Sequence, residues 1–181
     1  MNRAILTVHL PIGPCVITAS ELGLVSLRLG EVATGRDSFE AAAAHEHTHE
    51  ARRQLLAYFG GHLRDFAVPV DLSGRTEFQR RVLEACRRVP YGETLTYGEL
   101  ALRAGYPRAA RAVGQVMATN QVAIVVPCHR ILGSGGRLTG YGYGLDLKRK
   151  LLEMECGGGQ NGCETVQDAV DATEDVVVDA R

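Results

Sequence analysis

Thr96-Tyr97-Gly98-Glu99-Leu100-Ala101-Leu102-Arg103-Ala104-Gly105 is the stretch that decides the fold of the second half of this chain. Thr96, with Glu99 three residues on, has the pattern of a capping box, which satisfies free backbone N–H groups at the start of a helix. That helix is predicted to end near Gly105. Pro107 suits the first turn of a further helix running to about Thr119. Two short helices around a tight glycine turn predict a helix-turn-helix. The same pattern also occurs in proteins that never touch DNA.

Upstream, Thr76-Glu77-Phe78-Gln79 reads as another capping box. Its helix places Phe78, Val82, Cys86 and Val89 on one face, and Pro90-Tyr91-Gly92 stops it. Asp71-Leu72-Ser73-Gly74 is the best boundary, dividing domains at 1–73 and 74–155, with a tail at 156–181. Before it, 4–9, 15–19 and 23–29 are β-rich runs separated by turn residues, an antiparallel meander. Residues 30–47 read as a polar loop. Ala51, Leu55, Leu56 and Phe59 then recur at helical spacing, and Phe66–Val70 reads as an edge strand carrying Pro69. The fold class is α+β.

Downstream, the third helix has an unusual surface. Val113, Val116 and Met117 are apolar, Ala109, Ala110, Ala112 and Gly114 are nearly bare, and Arg108 and Arg111 project. Small side chains let a helix enter a groove only about 6 Å wide, as the DNA minor groove is. They equally allow tight packing against protein.

Val122–Val126 is a continuous apolar run, predicted as a buried strand, and it leads into Pro127-Cys128-His129-Arg130. A cysteine beside a histidine and an arginine is a candidate nucleophile, because a positive environment or a base lowers a thiol's pKa. A lone Cys-His pair is also found as a buried cysteine with an incidental neighbour. The loop that follows is richer. Gly133, Gly135, Gly136, Gly140, Gly142 and Gly144 punctuate twelve residues, and Tyr141 and Tyr143 between them can stack on a planar base. The last helix, Leu145 to Glu155, is predicted to bury Leu147, Leu151 and Leu152, with Glu155 placed to orient His129.

Composition narrows the class. The 181 residues are 45% hydrophobic and 23% charged, enough to bury a core. No run approaches the roughly 20 apolar residues of a membrane span, and Met1–Leu6 makes a poor signal peptide. Five dispersed cysteines without a CxxC pair point to a reduced cytoplasmic protein rather than a disulfide scaffold. The net charge of -1 conceals an uneven spread: 75–155 carries 13 basic against 7 acidic residues, and 156–181 one basic against six acidic. A basic module fits a polyanion, though ordinary surface charge gives the same sum. The tail reads as a flexible, acidic extension, either a passive solvated segment or one that competes with phosphates for the basic surface.

Taken together, these residues resemble the O6-alkylguanine-DNA alkyltransferases. The resemblance is close over about 75–155 and looser before it. Pro127-Cys128-His129-Arg130 is similar to the family signature, and Asn120 stands eight residues before the cysteine. Pro90–Thr94, Thr96–Leu100, Arg108–Gly114, Leu138–Tyr141 and Leu151–Glu155 follow in the family's order. The resemblance implies a small ribonuclease-H-like N-terminal domain followed by a winged-helix-like, helix-turn-helix domain. It implies irreversible transfer of an alkyl group to Cys128 from O6 of a flipped-out guanine, and also from O4 of thymine. His129 would take the thiol proton through a water, Glu155 would orient His129, and Asn120 would hinge the recognition helix to the active-site loop. Arg111 would fill the space left in the base stack. Tyr97 would press on the neighbouring phosphate, and Ala110, Gly114 and Ser134 would touch DNA. Met117, Ile131 and Tyr141, with Tyr97, would line the base pocket. The partner implied is alkylated double-stranded DNA, bound through the minor groove by a monomer, with no metal, no other cofactor and no membrane. Gly142 stands where some relatives carry a hydroxyl residue.

Three rivals keep some of these features. A lesion binder without catalysis would lack the cysteine. A helix-turn-helix regulator would not need the Gly-Tyr loop. A cysteine hydrolase would turn over acyl substrates. His45, His47 and His49 alternate and could ligate zinc, but a solvated polar loop accounts for them, and no metal is expected.

Overall fold

A computed structural model describes residues 3–33, 38–39 and 42–157. The predicted tail after Gly157, with Cys163, lies outside the described residues. The chain divides into two compact units, Met1–Thr76 with Gln121–Val125, and Glu77–Asn120 with Val126–Arg181.

In the first unit, β1 (Ala4–Leu10), β2 (Gly13–Ser20) and β3 (Gly23–Leu29) form the expected antiparallel meander. A short β4 (Ser38–Phe39) extends it, giving the order β3-β2-β1-β4. Alternation along β1 sends Ala4, Leu6, Val8 and Leu10 to the buried face. On that face lies α1 (Ala42–Phe59), whose buried stripe is Ala44, Thr48, Ala51, Leu55 and Tyr58. Those positions recur at steps of four and three, the helical period. The stripe is rotated from the predicted one. Leu56 is 42% exposed, and Tyr58 is buried where Phe59 was expected. The helix also begins earlier than predicted, so His45, His47 and His49 stand on α1 rather than in a loop.

Phe66–Val70 forms no continuous strand. Only Val70 makes a bridge, parallel to Leu24. The side-chain oxygen of buried Gln54 instead accepts the backbone N–H groups of Ala67 and Val68. Beside that bridge Leu24 N–H donates to Pro69 O at 2.9 Å. Gly23 is required there: its φ is +140°, and a Cβ would lie 2.6 Å from the same carbonyl.

The second unit begins with α2 (Glu77–Arg87), which buries Val82, Leu83, Ala85 and Cys86. After β5 (Leu95–Thr96) comes α3 (Tyr97–Arg103), and the predicted capping box is complete. Thr96 Oγ1 accepts from Glu99 N–H, and the Glu99 carboxylate accepts from Thr96 N–H. The third helix, α4 (Ala110–Ala118), starts three residues beyond Pro107, which sits in the preceding turn. It buries Val113, Val116 and Met117, as the sequence pattern predicts. α2, α3 and α4 pack on one another, with Phe78 edge-on to Tyr106 at 4.8 Å between ring centres.

The apolar run 122–126 is buried but is not a strand. Val122 makes a single bridge to Leu27, and the chain then turns at Ile124, whose φ is +73°. A β-branched residue in that region is strained and is held only by its surroundings. The turn re-aims the chain. Cys128 therefore emerges not at a strand end but in a 3-10 turn, Cys128–Arg130. β6 (Ile131–Leu132) follows at once and pairs parallel with β5, and α5 (Leu145–Cys156) closes the unit. Leu147 is only half-buried. Lys148 occupies the buried stripe instead, with Leu151, Leu152, Glu155 and Cys156. No helix among the described residues is long and apolar enough to cross a membrane.

Candidate active site

The 3-10 turn fixes the geometry of the signature. Cys128 N–H donates to Val126 O at 2.8 Å, and Arg130 N–H to Pro127 O at 2.9 Å. In this tight turn three consecutive side chains point inward, and Cys128, His129 and Arg130 are 8%, 0% and 3% exposed. An extended chain would have sent alternate residues to opposite sides.

Asn120, just past the end of α4, reaches this turn. Its Nδ2 donates to Cys128 Sγ at 3.1 Å and to Val126 O at 2.9 Å. Glu155 comes from the last turn of α5, and its Oε1 lies 3.0 Å from His129 Nε2. Cysteine, histidine and glutamate are thus brought together as the sequence pattern suggested, and Asn120, named only through the resemblance and as a hinge, joins them at the sulfur.

The electrostatics differ from the sequence expectation of a low-pKa thiol. Burial pushes the Cys128 thiol above its usual value. The Asn120 bond and the charge of Lys148 pull the other way without overcoming it. The resting group is a thiol, and ionising it needs a base. Burial likewise holds His129 below its usual value, against the pull of Glu155. Glu155 would be raised by burial, but hydrogen bonds from His129 and Arg130 and the charge of Arg130 hold it well below the carboxylate range. His129 Nδ1 is buried and finds no hydrogen-bond partner among the described residues.

The sequence reading missed what two residues of the site do: the grip of Arg130 on Glu155, and Lys148 altogether. Arg130 donates through Nε to Glu155 Oε2 and through a terminal nitrogen to Glu155 Oε1, both at 2.8 Å, and to Val89 O at 2.5 Å. Lys148 is fully buried, and its Nζ donates to Ile131 O at 2.6 Å and to Thr139 O at 2.9 Å. Burial lowers its pKa to about 8. A signal for Lys148 was present, since 148, 151, 152 and 155 share one helical face.

The remaining predicted residues fall in two places. Ile131 is buried beside the turn, and its carbonyl is one of the two that Lys148 holds. Tyr141 is half-buried. Among the described residues its hydroxyl has no hydrogen-bond partner, and burial keeps it protonated, the more so once a thiolate forms at Cys128. Tyr97 opens α3 and lies against α4, where a Cβ on Gly114 would touch its ring at 3.9 Å. Ala110 and Gly114 are half-buried, Arg111 is exposed and Met117 is buried along α4. Ser134 is exposed in a separate 3-10 turn, Ser134–Gly136. Among the described residues no group of three or more His, Cys, Asp or Glu could hold a metal ion.

Comparison with known proteins adds the family. Residues 6–72 match the family model described as the 6-O-methylguanine DNA methyltransferase ribonuclease-like domain, and 77–157 match that of its DNA-binding domain. A methylated-DNA–protein-cysteine methyltransferase of Methanosarcina acetivorans is 45% identical over 149 residues, 80% of this chain and 93% of that protein. One of Mycobacterium bovis is 45% identical over 154 residues, 82% of this chain and 90% of its own. Among solved structures, the Mycobacterium tuberculosis O6-methylguanine methyltransferase superposes with a TM-score of 0.73 at 42% identity, covering 88% of this chain and 96% of that one. Mycobacterium tuberculosis OGT in complex with DNA gives 0.72 at 44% identity, covering 90% and 98%. With both domain models matched in order and relatives aligned over four fifths of its length, this chain belongs to the methylated-DNA–protein-cysteine methyltransferase family.

Proposed function

We propose that this protein reverses alkylation damage in DNA by moving the alkyl group from O6 of guanine, or O4 of thymine, to the sulfur of Cys128. The observation that carries the reading is the buried thiol held by Asn120 beside a His129–Glu155 pair. His129 takes the thiol proton through a water. The thiolate attacks the alkyl carbon, a C–S bond forms, and the C–O6 bond breaks with its electrons passing to the base. Tyr97 supplies a proton to the leaving purine. A thioether has no simple leaving path, so each molecule acts once. A soft sulfur nucleophile suits an alkyl ether carbon, and no other cofactor enters the step.

DNA is the partner. A monomer binds it through the minor groove with α4, where Ala110 and Gly114 leave the backbone bare and exposed Arg111 enters the stack. The damaged nucleotide is flipped out, at a cost of a few kcal/mol that the inserted side chain partly offsets. Ser134 adds a DNA contact, and Met117, Ile131 and Tyr141 line the base pocket.

The test is intact mass after incubation with a duplex holding one O6-methylguanine. The protein should gain one methyl group and stop. Binding without a mass change points to a lesion binder, and restored base with unmodified protein points to a turnover enzyme.

A further inference from the structure

The carboxylate of Glu155 is 1% exposed and surrounded by donors. Arg130 takes both of its oxygens in a two-pronged grip at 2.8 Å. Gly92 N–H adds a contact to Oε2 at 3.3 Å, and His129 Nε2 lies 3.0 Å from Oε1. A proton on either oxygen would face an arginine N–H, so the carboxyl stays ionised. Arg130 is itself fixed. Val89 O accepts its third nitrogen, and its guanidinium carbon stands 5.8 Å from the centre of the Tyr91 ring.

An ionised carboxylate only accepts hydrogen bonds. The proton in the His129–Glu155 contact therefore sits on Nε2. A neutral imidazole has one donor and one acceptor, which leaves Nδ1 bare. Nδ1 is also the buried ring nitrogen without a hydrogen-bond partner among the described residues. We propose that Arg130 is a positioning residue for alkyl transfer: by pinning Glu155 as a carboxylate it fixes His129 as the Nε2–H tautomer, with Nδ1 as the nitrogen that receives the Cys128 proton. Arg130 also cancels the charge of Glu155, so His129 gains little by becoming a cation. The titratable groups facing this centre are Cys128 in the same turn, Cys86 from α2, Tyr141 from the glycine loop, and Lys148 and Glu155 from α5. Of these, Lys148 works in the same direction as Arg130 on the imidazole.

The rate part of the inference rests on Cys128 as acceptor. The tautomer part is read without substrate, so a failed transfer and a wrong tautomer are told apart. The experiment is histidine 15N NMR on the full-length protein from pH 5 to 9, with His129 assigned by His129→Gln, beside single-turnover rates on O6-methylguanine duplex. Wild type at pH 7 should show an unprotonated Nδ1 and a protonated Nε2. In Arg130→Met the imidazolium should persist to higher pH, and the acid limb of the rate profile should move up by roughly one pH unit or more. Arg130→Lys keeps the charge but not the two-pronged grip, and should shift less in the same direction. An Nδ1–H tautomer or an imidazolium in wild type at pH 7 overturns the proposal. So does a folded Arg130→Met with an unmoved spectrum and acid limb. Should Arg130→Met not fold, a wild-type titration in Arg130→Lys overturns it instead.

Discussion

The side-chain amide of Asn120 donates to the sulfur of Cys128 at 3.1 Å across eight residues of chain. A bond donated to sulfur favours the thiolate over the thiol. It is the strongest effect opposing the burial that keeps Cys128 protonated. Asn120→Ala should therefore push the thiol higher and slow transfer about tenfold, the equivalent of one pKa unit. The bond to Val126 O is lost as well, at a cost of about 1 kcal/mol. Single-turnover rates from pH 6 to 9 check this, and a rate equal to wild type at every pH contradicts it.

Arg111 is exposed near the start of α4 and is not part of the Cys128 cluster. Arg111→Ala should slow repair in duplex DNA about tenfold to hundredfold, the equivalent of part of the flipping cost. Reaction with free O6-benzylguanine, which needs no flipping, should change little. Equal losses on the two substrates would place Arg111 in the fold or the pocket.

What the sequence made legible follows from how local each feature is. The Thr96–Glu99 cap needs only residues three apart, and it appears as read. The alternation of β1 and the small-residue surface of α4 are equally local. The run 122–126 was misread because an apolar stretch looks alike in a strand and in a buried turn. Its conformation depends on the bridge to distant Leu27 and on strain at Ile124. The role of Arg130 was invisible for a similar reason, since its partners Glu155 and Val89 lie 25 and 41 residues away. Lys148 was hidden by hydropathy, which sends a lysine to solvent, although its helical phase matched Glu155.

Gly133 sits where the chain leaves β6. Its N–H donates to Arg137 O at 2.8 Å, and a Cβ would lie 2.7 Å from Thr139 Cγ2. Gly133→Ala should destabilise the protein by about 1–3 kcal/mol through overpacking. Thr139→Ser removes that methyl, so the double variant should recover most of the loss. Thermal unfolding of the two single variants and the pair decides, and simple additivity would exclude this clash.

Burial alone pushes the Cys15 thiol up to about 12. The unfolded chain loses that proton near pH 8.5. The folded state then holds a proton the unfolded state has given up, so this stability is present below about pH 8.5 and is lost as pH rises toward 12. Buried Cys86 and Cys128 act in the same direction. Lys148, lowered to about 8, acts oppositely between that pH and its unfolded value of about 10.4. Cys15→Ala should start less stable, but from pH 9 to 11 it should lose stability less steeply than wild type, by about 1 kcal/mol per pH unit. Urea unfolding across that range measures the slopes, and parallel curves would contradict the assignment.

The central claim is that one buried sulfur takes the alkyl group once, and the chain has five cysteines that could take it. The most direct measurement uses a duplex carrying one isotope-labelled O6-methylguanine and locates the label by peptide mass. The label should appear on Cys128 alone, at one methyl per protein molecule, and a second addition of DNA should transfer nothing more. Cys128→Ser should carry no label while still binding the lesion duplex. Label on Cys15, Cys86, Cys156 or Cys163, or more lesions repaired than protein molecules present, would contradict the account.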